Sequence, residues 1–371
     1  MKILHATDCF LPGLGGIETH VADLAARQSE RGDVVTVATP AQGSADGAHC
    51  VDDGPVRVRR VADAAEAWTH VTGHDVVHAH LSGVSPFASK VAARAARDGV
   101  PTVLTVHSLW SGMGPLPTLA AGAYGLWFRP VVWTAVSHAA AELLRTALPG
   151  RTEVRVVPNA VDAVARRATR DGEGPVRIIS AMRLASRKRP RQLLGMARSL
   201  RRRTGHPFEL VIVGDGPLQE ALQRRVRRDG LDELVTMTGR LPRTKVLAAM
   251  ASADVYVAPA VRESFGIAAL EARTLGLPVV GRSGTGLAEF VGPGEGLLAA
   301  SDRDMVGALQ QLVEDRSLRW RISEHNRTTP TTMTWRYALA RNDAAYAHAG
   351  TVMAGRRGAG RRRLAGELSG D

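Results

Sequence analysis

The segment "VRIISAMRLASRKRPRQLLGMARSLRRRTGHPFELVIVGDG", residues 176–216, decides the fold. Its two ends are short, β-branched apolar runs, and between them residues 190–203 carry an arginine-rich helical pattern opened by a proline. Strand, helix, strand with glycine at the strand end is a βαβ unit, which sets its two strands parallel. Downstream the alternation continues through "LQEALQRRVRRDG", "VTMTG", "KVLAAMASA", "DVYVAP", "GIAALEARTLG" and "LPVVGRS". Upstream it is already present in "MKILHA", "HVADLAARQSERG", "VVTVAT", "DVVHAH", "PTVLTVH" and "VVWTAVS". The chain is therefore expected to be α/β, with one Rossmann-like domain over 1–165 and a second over 175–330. The polar, Gly- and charge-rich "DAVARRATRDGEGP" (162–175) reads as the linker. A helix over 331–349 carries Trp335 and Tyr337, and the Gly- and Arg-rich 350–371, without a periodic apolar face, is expected to be a disordered basic tail.

Composition narrows the function classes. At 371 residues the chain is long enough for two cores. No stretch of eighteen apolar residues and no signal-peptide pattern occurs, and Cys9 and Cys50 have no paired spacing. We expect a cytoplasmic protein, reaching at most the inner membrane face as a weak peripheral contact. The net charge of +12 invites an anionic partner, but only four of the 48 basic residues are lysine, which looks like GC-rich coding bias. With 4% aromatics and no basic stripe interleaved with stacking residues, no nucleic-acid partner is expected.

Chemistry concentrates in "VRESFGIAALEA" (261–272), where Glu263 and Glu271 lie eight positions apart. Eight helical residues rise about 12 Å, so one small group can hardly meet both carboxylates. The turn Ser264-Phe265-Gly266 precedes a helical run from Ile267, whose N-terminal amides suit an anion. Arg183 and Lys188, after the strand "VRIISAM", add two positive charges at the carboxyl edge of the same sheet. The alternative is a solvated basic loop, since Arg187, Arg189 and Arg191 crowd the same segment. An elongated ligand with a central diphosphate, such as a nucleotide-sugar, fits two carboxylates flanking a cationic centre. In the first domain Gly13, Gly15 and Gly16 lie between a strand and a helix, where backbone amides approach phosphates, although the third glycine of a dinucleotide fingerprint is missing.

At these residues the chain resembles the retaining, GT-B-fold glycosyltransferases of the large family numbered four. The resemblance runs from "LPGLGGIETHVADLA" through "TAVSHAAAELL", "VRVVPNAVD", "SAMRLASRKRP", "LVIVGDGPLQEAL" and "ADVYVAPAVRESFGIAALEARTLGLPVV" to "TWRYALARNDAAY", about residues 1–350. It implies two Rossmann-like domains facing each other across a donor/acceptor cleft. It implies catalytic or charge-stabilising roles for His107, Arg183, Lys188 and Glu263: the first at the donor-sugar pocket, Arg183 and Lys188 on the diphosphate, Glu263 on the transferred sugar. Donor contacts are implied for Gly15, Gly16, Gly214, Arg240, Leu241, Ser264, Phe265, Gly266, Ile267 and Glu271. Gly16 would offer its N–H to the distal phosphate, Glu271 would take the ribose, and "GRLPR" (239–243) would line the base. A nucleotide-sugar is the implied donor, uridine favoured over guanosine because Pro242 and Arg243 offer no carboxylate to a guanine amino group. The acceptor is left among small natural products, polyols, lipid-linked carriers and glycans. Neither a cofactor nor a metal is expected. A catalytically silent homologue, a sugar-nucleotide epimerase and a nucleic-acid binder are the alternatives.

Three further features are read conservatively. "SDRD" (301–304) is expected to cap the following helix rather than bind metal. His78 and His80 in "VVHAH" are expected on opposite faces of a strand, which would exclude a joint metal site. The uncharged "SLWSGMGPLPTLAAGAYGLWF" (108–128), with Trp110, Tyr124, Trp127 and Phe128, is left open among acceptor lip, peripheral membrane contact and ordinary packing. Glu289 is a second-tier candidate. Ala160 and Ser108 depart from the family's usual glycine and aspartate.

Overall fold

In the computed structural model the described residues are 1–13, 15–40, 50–51, 56–71, 73–110, 116–150, 152–162 and 174–368. They form two compact units, one of Met1–Ala160 with Trp335–Asp371, the other of Val161–Thr334. Most of the expected linker, 163–173, lies outside the described residues.

The first unit alternates β1 (Lys2–Thr7), α1 (Gly16–Glu30), β2 (Val34–Thr39), β3 (Cys50–Val51), β4 (Val56–Arg60), α2 (Ala64–Val71), β5 (Val76–Leu81), α3 (Pro86–Arg97), β6 (Thr102–Val106), α4 (Leu116–Ala123), β7 (Val131–Ala135), α5 (His138–Ala147) and β8 (Val154–Val156). The strands make one sheet in the order β3-β4-β2-β1-β5-β6-β7-β8, parallel except for the β3 edge. Side-chain alternation sorts the sheet's two faces. Leu4, Ala6, Val77, Ala79 and Leu104 pack with α3 on one of them. Ile3, Val76, Val103 and Val132 take the other and are covered by Ala345, Tyr346 and Ala349.

Those covering residues belong to α12 (Trp335–Leu368), whose Asp343 accepts two hydrogen bonds from the Arg31 guanidinium at 2.7 and 2.8 Å. Trp335 and Ala338 pack with Leu24 and Ala160, so the methyl of Ala160, where the family has glycine, fills this contact. The helix does not end near 349. It continues to Leu368 in place of the expected disordered tail; the alanines and arginines of this stretch are strong helix formers, and a helix already nucleated by packing needs no further apolar face to extend.

The second unit repeats the plan: β9 (Val176–Ala181), α6 (Pro190–Arg203), β10 (Phe208–Val213), α7 (Gln219–Arg228), β11 (Val235–Gly239), α8 (Arg243–Ala251), β12 (Val255–Val257), α9 (Ile267–Thr274), β13 (Val279–Arg282), β14 (Gly296–Ala299), α10 (Asp302–Glu314) and α11 (Arg316–Thr328). Its sheet runs β11-β10-β9-β12-β13-β14, with every pairing parallel. In both sheets the strand order reverses once, at β1/β5 and at β9/β12. Ligands of open α/β sheets bind beyond the carboxyl ends of the strands at such a reversal.

Candidate active site

The loops that follow β9 and β12 therefore frame the expected ligand position in the second unit. The first holds Arg183 and, in the short 3-10 turn Ser186–Lys188, Lys188; the second holds Glu263 to Gly266. Across the reversal Lys188 Nζ donates to Glu263 Oε2 at 2.5 Å, a half-buried ion pair with both side chains part-exposed. Arg183 stands exposed, and among the described residues no ion pair engages it.

The neighbouring arginine behaves differently. Arg189 adopts the left-handed conformation at φ +60°, opens α6, and donates to both carboxylate oxygens of Asp302 at 2.8 and 2.7 Å and to Pro259 O at 3.2 Å. The expected solvated basic loop is thus partly a clamp that fixes the Lys188 turn against the end of β12. Its partner comes from "SDRD", where Ser301 caps α10 by accepting from the Asp304 N–H, as expected. The hydrogen bonds of Arg189, ahead of the opposing cost of burial, lower the pKa of Asp302.

Gly266 caps α9 at φ +93°, and a Cβ there would lie 2.6 Å from Leu287 Cδ2 and 3.3 Å from Glu263 Cγ. The helix start and the glutamate are therefore held against "GTG", whose Gly286 N–H donates to Glu263 O at 2.8 Å and whose own Cβ would meet Ser264 O at 2.1 Å. This explains Gly286, while Gly284 stands at φ +70°; Glu289 is half-buried just beyond them. Ser264 and Ile267 flank the cap. Phe265 is fully buried against the Phe290 ring, so it offers a ligand its backbone and not its side chain.

One and a half turns further on, Glu271 is buried and its Oε1 accepts from Arg243 Nε at 3.1 Å. Arg243 lies past Arg240 and Leu241 at the start of α8, so the expected base loop and the expected ribose carboxylate are linked directly. Gly214 ends β10 at φ +129°, and a Cβ there would fall 2.0 Å from Met182 O, beside the Arg183 loop. Sequence reading missed Tyr256: its buried hydroxyl donates to Ala181 O at 3.2 Å, and burial, followed by the charge of Glu263, raises its pKa. No motif signals it; only its position on β12, near enough to feel the charges of both Glu263 and Glu271, does.

In the first unit Gly15 caps α1 in extended conformation and Gly16 opens that helix after β1; Leu14 lies outside the described residues. His107 follows β6 and is buried. The expectation for His78 and His80 is corrected here. Residues two apart on a strand share a face, and these rings lie 4.2 Å apart, with His5, His78 and His80 offering ring nitrogens within 4.8 Å of one another. All six ring nitrogens are nevertheless engaged within the protein. His5 meets Gln28 and His80, His78 meets Tyr346 and Thr105, and His80 also meets His107, at 2.6 to 3.0 Å. Burial holds His5 at a pKa of about 4 and His107 at about 3, with His78 and His80 also well below the ordinary imidazole value.

Of the uncharged segment 108–128, residues 111–115 are outside the described set. Trp110 is packed edge-on to Trp133 and donates to Ser82 O, Leu126 is buried, while Leu119 and Phe128 are exposed. No described helix is long and apolar enough to cross a membrane.

The Glycosyltransferase Family 4 model matches residues 14–165, and the Glycosyl transferases group 1 model matches 161–329. The chain is a glycosyltransferase of the GT-B fold. This glycosyltransferase is 28% identical over 350 residues to a Mycobacterium tuberculosis glycogen synthase, covering 81% of the chain and 83% of the relative. It is 27% identical over 360 residues to the GDP-mannose-dependent alpha-(1-6)-phosphatidylinositol monomannoside mannosyltransferase of the same organism, covering 85% and 90%. Its fold matches the crystal structure of Anabaena HepE in complex with UDP-glucose with a TM-score of 0.76 at 19% identity, over 93% of the chain and 98% of HepE.

Proposed function

We propose that this enzyme is a retaining family-four glycosyltransferase that moves a hexosyl unit from a nucleotide-sugar to a hydroxyl acceptor by metal-independent front-face substitution. The observation that carries the proposal is the Lys188–Glu263 pair set across the β9/β12 reversal, beside the amides that open α9. A sugar diphosphate there meets Lys188, Arg183 and the α9 amides along its phosphates, Glu263 on its sugar and Glu271 on its ribose. Glu263 already accepts from Lys188, so the lysine both orients the carboxylate and supplies charge to the leaving group.

In this mechanism the glycosidic bond to phosphate breaks as the sugar becomes oxocarbenium-like, and the acceptor oxygen bonds the anomeric carbon on the same face. The departing phosphate oxygen takes the acceptor's proton. No protein carboxylate need act as nucleophile, and the protein's contribution is electrostatic: fixed cations and helix amides for the diphosphate. His107 and the Gly16 N–H are assigned by resemblance to the anomeric region and the distal phosphate.

UDP-sugars are favoured. The HepE complex holds UDP-glucose, and "GRLPR" contains no carboxylate for a guanine amino group. The mannosyltransferase relative, named for GDP-mannose, keeps GDP-sugars as the second candidate. Polyols, lipid-linked carriers, glycans and small natural products stay the acceptor classes. Calorimetry with UDP-, GDP- and ADP-sugars tests the donor: UDP-sugars should bind tightest, with Glu271→Gln weakening them. Failure of every nucleotide-sugar to bind would overturn the proposal. Mass spectrometry of products from candidate acceptors, with the anomeric configuration read by NMR, tests retention.

A further inference from the structure

Nine buried groups of the first unit form one hydrogen-bonded series whose direction can be worked out from its end. Thr134 Oγ1 reaches Leu104 O at 3.3 Å, and a carbonyl only accepts, so the Thr134 hydroxyl spends its proton there. Thr105 Oγ1, 2.6 Å away, must then donate to Thr134, and His78 Nε2, 2.6 Å from Thr105, must carry the proton that it donates. His78 is neutral, so its Nδ1 accepts, from Tyr346 Oη at 2.9 Å. Tyr346 in turn accepts from Gln28 Nε2 at 2.9 Å, which turns the Gln28 carbonyl toward His5 Nε2 at 2.7 Å.

The same logic runs on through the remaining rings. His5 donates from Nε2, so its Nδ1 accepts from His80 Nε2 at 2.9 Å; His80 Nδ1 then accepts from His107 Nε2 at 3.0 Å. Burial lowers the pKa of every one of these imidazoles, so each carries one proton. Each ring has one consistent tautomer, and reversing any single one would set two donors or two acceptors face to face. We infer that this buried series fixes His107 as the Nε2–H tautomer, making Nδ1 an obligate acceptor, and that Gln28, His5 and His80 are positioning residues acting through it.

The consequence rests on the proposed role of His107 at the donor sugar. In this tautomer His107 carries a lone pair and not an N–H at Nδ1, so a hydrogen bond made there, that of a sugar hydroxyl included, is one it accepts and never donates. Gln28 passes that direction on, because its amide donates to Tyr346 from Nε2 and accepts from His5 at Oε1, joining the half of the series anchored at the Leu104 carbonyl to the rings of His5, His80 and His107. Without its carbonyl, the present direction would strand a buried His5 N–H, whereas the reversed direction leaves His5 Nε2 with a lone pair, the cheaper of the two to bury, and the rings His5, His80 and His107 switch together.

Long-range ¹H–¹⁵N spectra of the full-length, ¹⁵N-histidine-labelled protein read tautomers directly, with assignment by single histidine substitutions. The expected wild-type result is His5, His78, His80 and His107 all protonated at Nε2 near neutral pH. In Gln28→Leu, His107 should move to the Nδ1–H form. An Nδ1–H His107 in the wild type, or no change in Gln28→Leu, overturns the inference, and the wild-type spectrum is decisive even if a variant fails to fold. Donor turnover separates the two claims. A fall of roughly tenfold or more in Gln28→Leu supports both, whereas a switched tautomer with unchanged turnover upholds the series and overturns the role given to His107.

Discussion

Lys188 and Glu263 are 75 positions apart in sequence and 2.5 Å apart in space, the first from the loop after β9 and the second from the loop after β12. The parallel order β9-β12, with its reversal between them, is what brings two distant loops to one edge. The pair is the firmest handle on the proposed chemistry.

Lys188→Ala should lower turnover by roughly a hundredfold or more, the effect of about 2.7–4 kcal/mol lost from transition-state stabilisation, with the fold intact. Steady-state kinetics beside circular dichroism checks this. Turnover near wild type would remove the lysine from the mechanism.

Glu271→Gln should raise the donor KM by roughly ten- to a hundredfold, corresponding to about 1.5–3 kcal/mol for a charge-assisted hydrogen bond, and change kcat little. A 2′-deoxyribose donor gives the matching cycle. It should bind the wild type more weakly than the ribose donor by a similar factor and gain nothing further from the substitution. If the two losses simply multiply, Glu271 does not hold the ribose.

Gly214→Ala forces a left-handed backbone and a contact of 2.0 Å with the Met182 carbonyl, an atom that cannot rotate away. Strain and overpacking together should cost about 2–4 kcal/mol in unfolding free energy. Urea denaturation checks it, with Gly205→Ala, where a Cβ meets nothing within 4 Å, as the comparison.

Acid should destabilise the first unit early. His5, His20, His78, His80 and His107 are buried with lowered pKa values, so below about pH 6.5 the unfolded chain binds protons that the native state refuses. The unfolded state then holds more protons, and stability falls as pH drops from 6.5 toward the native values of about 4 for His5 and about 3 for His107. Each histidine adds a slope of up to about 1.4 kcal/mol per pH unit. Thermal melts from pH 7.5 to 5 should show a steep decline that flattens in His5→Gln; a flat profile would mean that these rings are not excluded from titration.

Legibility in the sequence followed range. The βαβ units, the helix cap at Ser301 and the glycine turn at Gly266 are local, and composition and spacing encode them. The partners of Lys188, Arg189 and Glu271 lie across loops whose meeting depends on strand order, which local pattern does not carry. Arg189 is the clearest case: alone it reads as one more surface cation, and only Asp302, 113 positions away, makes it a clamp. The histidines are a different case. Positions two apart on a strand point the same way, so "VVHAH" itself carries the pairing of His78 and His80, against the expectation of opposite faces. Even with that corrected, Gln28 and Tyr346 would stay hidden, because a helix at each end of the chain supplies them.

Val161 and Thr334 form an isolated parallel bridge, and they are also the first and last residues of the second unit. That unit is therefore an insertion whose two ends meet, entered and left by the chain at a single stitch. A recombinant exchange of 161–334 for the corresponding stretch of another enzyme would need two junctions at one spot, and α12 would still close over the first sheet's strands as before. The residues proposed to recognise the nucleotide would travel as a cassette, while the histidine series stayed behind with its helix.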